Sequence, residues 1–138
     1  MKYRLNVVCL IVKDGKILLG KKTEGVGPYP GTWLIPGGGV NSEMESIDEA
    51  MEREVQEETN LNVTKFERMF FGEDVADRHG EMTRLIYLYY KVTDVADWKT
   101  EKAGDDLVQL HWFSFDELST IPLPPVSTKL YKQLGWIK

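Results

Sequence analysis

A mixed α+β or α/β sandwich is the fold class this sequence predicts, on three observations. Apolar, β-branched runs come first, one long helical pattern is inserted after them, and further strand-like runs precede a last helical stretch. At 138 residues there is room for one core, so residues 1–138 are read as a single domain. The 42% hydrophobic and 28% charged residues match an ordinary globular chain.

Leu5–Val12 and Lys16–Gly20 read as strands joined at Asp14-Gly15, a hairpin dipeptide. Thr23–Gly31 holds three glycines and two prolines and reads as a loop. Trp33–Ile35 is a short strand that runs into Pro36-Gly37-Gly38-Gly39. Ser46 and Glu49 have capping-box spacing, which starts a helix that runs to about Thr59. Val63–Phe71 and Leu85–Val92 read as strands, with the polar stretch Glu73–Glu81 as a loop between them. Asp94–Asp106 is polar with a short helical turn, Leu107–Phe113 is a strand, and Phe115–Leu118 opens a short helix. Pro122, Pro124 and Pro125 then precede a last helix over Ser127–Leu134.

Charge narrows the function. Seventeen basic residues against 22 acidic ones give a net charge of -5, and no Lys/Arg-rich cluster is visible, which argues against a nucleic-acid polymer as partner. A small phosphorylated ligand stays compatible if a divalent cation offsets the repulsion. The single cysteine, Cys9, excludes a disulfide within the chain. Its apolar run Val7–Val12 is too short for a membrane span, so no membrane partner and a cytoplasmic location are expected.

The informative segment is Ser46–Leu61, SIDEAMEREVQEETNL. With Glu54 at zero on a helical wheel of about 100° per residue, Glu58 falls near 40° and Glu57 near 300°. Ile47, Ala50, Met51 and Leu61 lie within about 60° of the same line, and Asp48, Glu49, Glu52, Gln56 and Thr59 lie opposite. Three carboxylates therefore interrupt the face expected to meet the core. Like charges at such spacing repel, and carboxylates turned inward lose hydration, so their pKa values rise or a cation binds among them. Oxygen-only ligands suit Mg²⁺ or Mn²⁺ better than zinc. The plainer alternative is an acidic helix end that projects into water.

Gly39–Leu61 resembles the Nudix box, a glycine, five residues, Glu, seven residues, then Arg-Glu-aliphatic-any-Glu-Glu-any-Gly-aliphatic. Gly39, Glu45 and the run Arg53-Glu54-Val55-Gln56-Glu57-Glu58-Thr59 fit it. Asn60 departs, standing where the family has glycine, and asparagine is the commonest substitute in a left-handed helix cap. Trp33-Leu34-Ile35-Pro36-Gly37-Gly38 and the later Trp112-Phe113 with Phe115-Asp116-Glu117-Leu118 look like the family's flanks.

The resemblance implies an α/β/α sandwich with a mixed sheet and a loop–helix–loop catalytic box. It implies hydrolysis of a phosphoanhydride in a nucleoside diphosphate linked to another group. Glu54, Glu57 and Glu58 look like metal ligands, joined by a backbone carbonyl of the Gly37–Gly39 loop, at Gly38 or Gly39. Arg53 and Glu45 resemble the pair that ties loop to helix. The proton acceptor stays open between Glu57 and the late-loop acids Glu101, Asp105 and Asp106. A triphosphate substrate is the first choice. Nucleotide sugars, ADP-ribose, dinucleoside polyphosphates and a non-catalytic nucleotide sensor are the alternatives, in a monomer or homodimer.

Other residues are weighed against plain structural roles. Lys21 and Lys22 could meet a phosphate or simply end a strand in water. Tyr29 and Trp33 could stack on a base, with Trp33 fitting the core better. His79 and His111 read as loop and strand residues.

Overall fold

The computed structural model describes residues 1–23, 31–41 and 43–138. β1 (Lys2–Lys13) and β2 (Lys16–Lys22) meet at Asp14-Gly15, whose φ values of 52° and 73° are those of a tight hairpin turn. β3 (Trp33–Leu34) and β4 (Gly37–Gly39) lead to α1 (Ile47–Thr59). Then come β5 (Val63–Arg78), β6 (Glu81–Val95), a 3₁₀ turn at Trp98–Thr100, β7 (Leu107–Ser114), a second 3₁₀ turn at Phe115–Thr120 and α2 (Pro125–Gln133).

The sheet is mixed, with main order β3-β2-β1-β6-β5 and with β4 added to β1 and β7 to β2. β1 and β6 are parallel, in register from Lys2 opposite Thr83 to Ile11 opposite Val92, and the other pairs are antiparallel. Strand side chains alternate between faces, and β1 uses both. Val7, Cys9 and Ile11 join Ala50, Met51 and Val55 of α1 in one core. Leu10, with Ile17 and Leu19 of β2, joins Leu130 and Tyr131 of α2 in the other. The result is the expected α/β/α sandwich. Among the described residues no helix is long and apolar enough to cross a membrane.

Local expectations are corrected at four places. The polar stretch Glu73–Glu81 is not a loop. β5 and β6 run through it in register to Arg78 opposite Glu81 and turn at His79-Gly80, where both φ values are positive. Most of its side chains meet water on both faces, so the ladder there rests on backbone pairing and leaves no apolar alternation to detect. Thr59, placed on the outer face, is fully buried because its hydroxyl donates back to the Val55 carbonyl at 2.6 Å under the closing loop. Ile47, placed inward, is exposed, and Asp48, placed on the outer face, meets the sheet instead, accepting from Arg68 of β5 and the Tyr90 hydroxyl of β6. The last helix begins at Pro125, which suits a first helical position where no N–H is needed.

Candidate active site

Helix α1 is fixed at both ends, and this sets the direction of every carboxylate on it. Ser46 Oγ accepts the Glu49 N–H at 3.1 Å while Glu49 returns a carboxylate to the Ser46 N–H at 2.9 Å, the reciprocal cap read from the sequence. Asn60 ends the helix at φ 60°, ψ 22°, the expected left-handed cap. Its side-chain amide also donates to the Thr100 carbonyl at 2.8 Å, and Thr100 Oγ1 donates to the Asn60 carbonyl. Between these ends Ala50, Met51 and Val55 anchor the helix, and Glu54 and Glu58 are buried at 8% and 6% exposure. The Glu57 side chain, with 42% exposure, stands at the rim.

The glycine strand β4 packs directly on these acids. The Gly37 N–H donates to Glu58 Oε1 at 2.7 Å. At Gly38 a Cβ would lie 2.5 Å from Glu54 Oε1, so only glycine leaves that carboxylate its place. Arg53 closes the arrangement. Its Nε and Nη2 donate to the two Glu45 oxygens at 2.9 and 2.7 Å, Nη1 donates to Glu54 at 2.8 Å and Glu57 at 3.2 Å, and Nη2 also reaches the Gly39 carbonyl at 3.0 Å. The fork holds Glu45 ionised down to about 2, mainly through its hydrogen bonds.

The inner carboxylates behave oppositely. Burial pushes Glu54 up, with Arg53 opposing, and Glu57 and Asp105 add repulsion. Burial pushes Glu58 up to about 8, with only the Gly37 N–H opposing and with Glu54, Asp105 and Asp106 repelling. The late loop is brought to this end of α1 because Gly104 N–H donates to the Glu58 carbonyl at 3.1 Å and Lys102 N–H to the Thr59 carbonyl at 2.9 Å. Asp105 and Asp106 therefore share the field of the box. Glu101 does not join them, because its carboxylate accepts the Trp112 indole N–H at 2.6 Å and so is held against β7.

Among the described residues no three acidic, His or Cys side chains already converge on one point, since Glu54 and Glu57 are turned to Arg53. The donor set nevertheless fits a hard divalent cation. Two buried carboxylates lie among further acids, and Glu58 has one N–H as its compensation.

The remaining candidates separate. Lys21 Nζ lies 5.2 Å from the centre of the Trp33 ring, a cation–π distance. Trp33 is a core residue at 9% exposure, edge-on to Phe113 at 4.9 Å. Tyr29 lies outside the described residues. Lys22 lines an apolar cleft of about 180 Å³ with Val8, Ile35, Tyr87, Tyr89 and Ser127. Tyr87 and Tyr89 read from the sequence only as sheet residues, yet their i, i+2 spacing on one strand turns both to this cleft.

A NUDIX domain family model matches residues 2–134. The nucleoside triphosphatase NudI of Escherichia coli O139:H28 is 31% identical over 98% of this chain and 99% of its own. Among solved structures, a MutT NUDIX hydrolase from Burkholderia pseudomallei superposes with a TM-score of 0.79 at 24% identity, over 96% of this chain and 98% of that one. The E. coli ORF135 protein does so at 0.69 and 28% identity, over 96% and 88%.

Proposed function

The chain belongs to the Nudix family, as a pyrophosphohydrolase, and on that premise we propose that it hydrolyses a nucleoside triphosphate to a nucleoside monophosphate and pyrophosphate with Mg²⁺. The observation that carries this reading is the pair of buried glutamates, Glu54 and Glu58, set against Gly38 and Gly37 with too little positive charge to balance them. The triphosphate class is supported by the relatives named as nucleoside triphosphatases and by the aromatic-lined cleft, which suits a base.

Glu54, Glu57 and Glu58, with the Gly38 or Gly39 carbonyl, would hold Mg²⁺, and Mn²⁺ would substitute for it. When bound, such an ion neutralises phosphate charge and lowers the pKa of a coordinated water. The protein contributes orientation and proton transfer. Arg53 and Glu45 keep loop and helix in one geometry, so the carboxylates would be held near one another for the cation. Glu57, at the rim, and Asp105 or Asp106, which share the field of the box, would take a proton from the attacking water. Glu101, whose carboxylate accepts the Trp112 indole N–H, is not assigned this role. The base lies in the cleft between Val8, Tyr89 and Ser127, with Lys22 at its edge. A purely sensing domain would have no use for a complete set of box glutamates.

The test is pyrophosphate and phosphate release from a panel of nucleoside triphosphates, nucleotide sugars, ADP-ribose and dinucleoside polyphosphates, with and without Mg²⁺. Mg²⁺-dependent pyrophosphate release from triphosphates is expected. Release from only the diphosphate-linked compounds contradicts the substrate class, and release that persists in EDTA contradicts the metal.

A further inference from the structure

A second charge cluster, of opposite sign to the carboxylates, lies at the start of β1. Lys2 and Arg4, with Arg78 and His79 from the β5–β6 turn, line a cleft of about 800 Å³ next to Val40. Lys2 is bridged to Glu81 at 3.1 Å. The Arg4 and Arg78 side chains have no hydrogen bond or ion pair among the described residues. Two unpaired guanidinium groups on one cleft stand out in a chain of net charge -5.

The position of Arg4 relates this cleft to the box. β4 runs antiparallel to β1 with Asn6 opposite Gly39 and Val8 opposite Gly37. The Arg4 guanidinium lies on Gly39, where any Cβ would collide with it. Residues then follow one another along the strand. The apolar cleft is at Ile35, and the Gly37 N–H holds Glu58. Glu54 lies at Gly38 on the α1 face and Arg4 lies at Gly39 on the opposite face, so the run passes around β4 and not along one side of it. Gly37 to Val40 spans roughly 10 Å, comparable with a triphosphate. Arg4 and Val8 lie on the same face of β1 by alternation, and Val8 and Tyr89, its partner on β6, line the apolar cleft.

Phosphate counter-charge needs a cation that is not already engaged, and beside Lys22 at the edge of the apolar cleft Arg4 supplies one. A guanidinium has five N–H donors, and those of Arg53 are taken by Glu45, Glu54, Glu57 and the Gly39 carbonyl. Lys21 is over Trp33.

We propose that Arg4, supported by Arg78 and Lys2, is the anion subsite for the outermost phosphate of the substrate, so that base, scissile bond and terminal phosphate are grouped around β4. This rests on the triphosphate reading, but the subsite has its own test.

Arg4→Gln, Arg4→Lys and wild type are compared in three measurements. These are KM and kcat for a nucleoside triphosphate and its diphosphate, inhibition by inorganic tripolyphosphate, and calorimetric tripolyphosphate binding in EDTA. Arg4→Gln is expected to raise triphosphate KM about tenfold or more with a smaller change in kcat, and to spare the diphosphate. Tripolyphosphate binding should weaken in parallel, with Arg4→Lys intermediate. The melting temperature should stay unchanged, because Arg4 is exposed and unpaired. Absence of tripolyphosphate binding to wild type, equal binding to Arg4→Gln, or an equal KM rise for both nucleotides overturns the subsite. An enzyme that cleaves no triphosphate, yet whose tripolyphosphate binding depends on Arg4, keeps the subsite and overturns the triphosphate assignment alone.

Discussion

Arg53 and Glu45 form a two-bond fork, 2.9 Å from Nε and 2.7 Å from Nη2, that joins the middle of α1 to the loop preceding it. The same guanidinium reaches the Gly39 carbonyl, so one side chain sets the distance between the glycine strand and the glutamates. Glu45→Gln keeps the shape and removes the charge of the fork. It is expected to lower kcat about 10–100-fold, as loss of groups that orient metal ligands does, with a smaller effect on KM. Arg53→Lys should do the same, since an ammonium cannot reproduce the planar fork. Steady-state kinetics at saturating Mg²⁺ check this, and an unchanged kcat for both variants contradicts it.

Gly38→Ala should separate activity from stability. The added methyl group meets the far end of the Glu54 side chain, 2.5 Å from Oε1, and can be relieved by moving that carboxylate. The fold loses little, and kcat/KM is expected to fall at least about tenfold. Thermal melting and kinetics on the same preparation decide it. A collapse in melting temperature would mean that backbone crowding dominates.

Asn60→Gly trades two effects. Glycine fits the left-handed cap without strain, but it loses the amide bond to the Thr100 carbonyl. A net loss of about 1 kcal/mol is expected from denaturant unfolding. A gain in stability would show that the Thr100 contact contributes nothing.

The metal-free protein should be less stable at higher pH. Folded Glu58 titrates at about 8 against an ordinary 4.5, so the folded state holds a proton there that the unfolded chain has lost. The stability this provides is complete below pH 4.5 and is lost as pH rises toward 8, and Glu54, also raised, adds the same sign. Glu45 acts in the opposite sense, but its window lies between about 2 and 4.5. In EDTA the melting temperature should fall from pH 5 to 8.5, and Glu58→Gln should flatten the slope. A flat wild-type profile contradicts the burial argument.

Much of this centre was legible because helix register is arithmetic. Once Ser46 and Asn60 fixed the ends of α1, the inward directions of Glu54 and Glu58 followed from spacing alone. Glu57 was harder, because a wheel does not say how far the sheet extends beneath the helix, and Glu57 falls at its edge. The hairpin over Glu73–Glu81 was hidden because its residues are solvated on both faces and carry no apolar alternation. Glu101 could not be told from Asp105 and Asp106 without the loop's path, which the Trp112 indole and the carbonyls at the end of α1 decide. Arg4 precedes the apolar run Leu5–Val12, and its relation to Gly39 exists only through the β1–β4 register.

The most direct test of the central claim is the turnover of a nucleoside triphosphate by Glu58→Gln at saturating Mg²⁺, set beside its melting temperature in EDTA. Glu58 is buried, repelled by its neighbours and held by one N–H. As a cation ligand it should be indispensable for chemistry and a burden without metal. The account predicts turnover reduced by at least about 100-fold, with a metal-free melting temperature equal to or above wild type. Near wild-type turnover in a folded Glu58→Gln protein would contradict it.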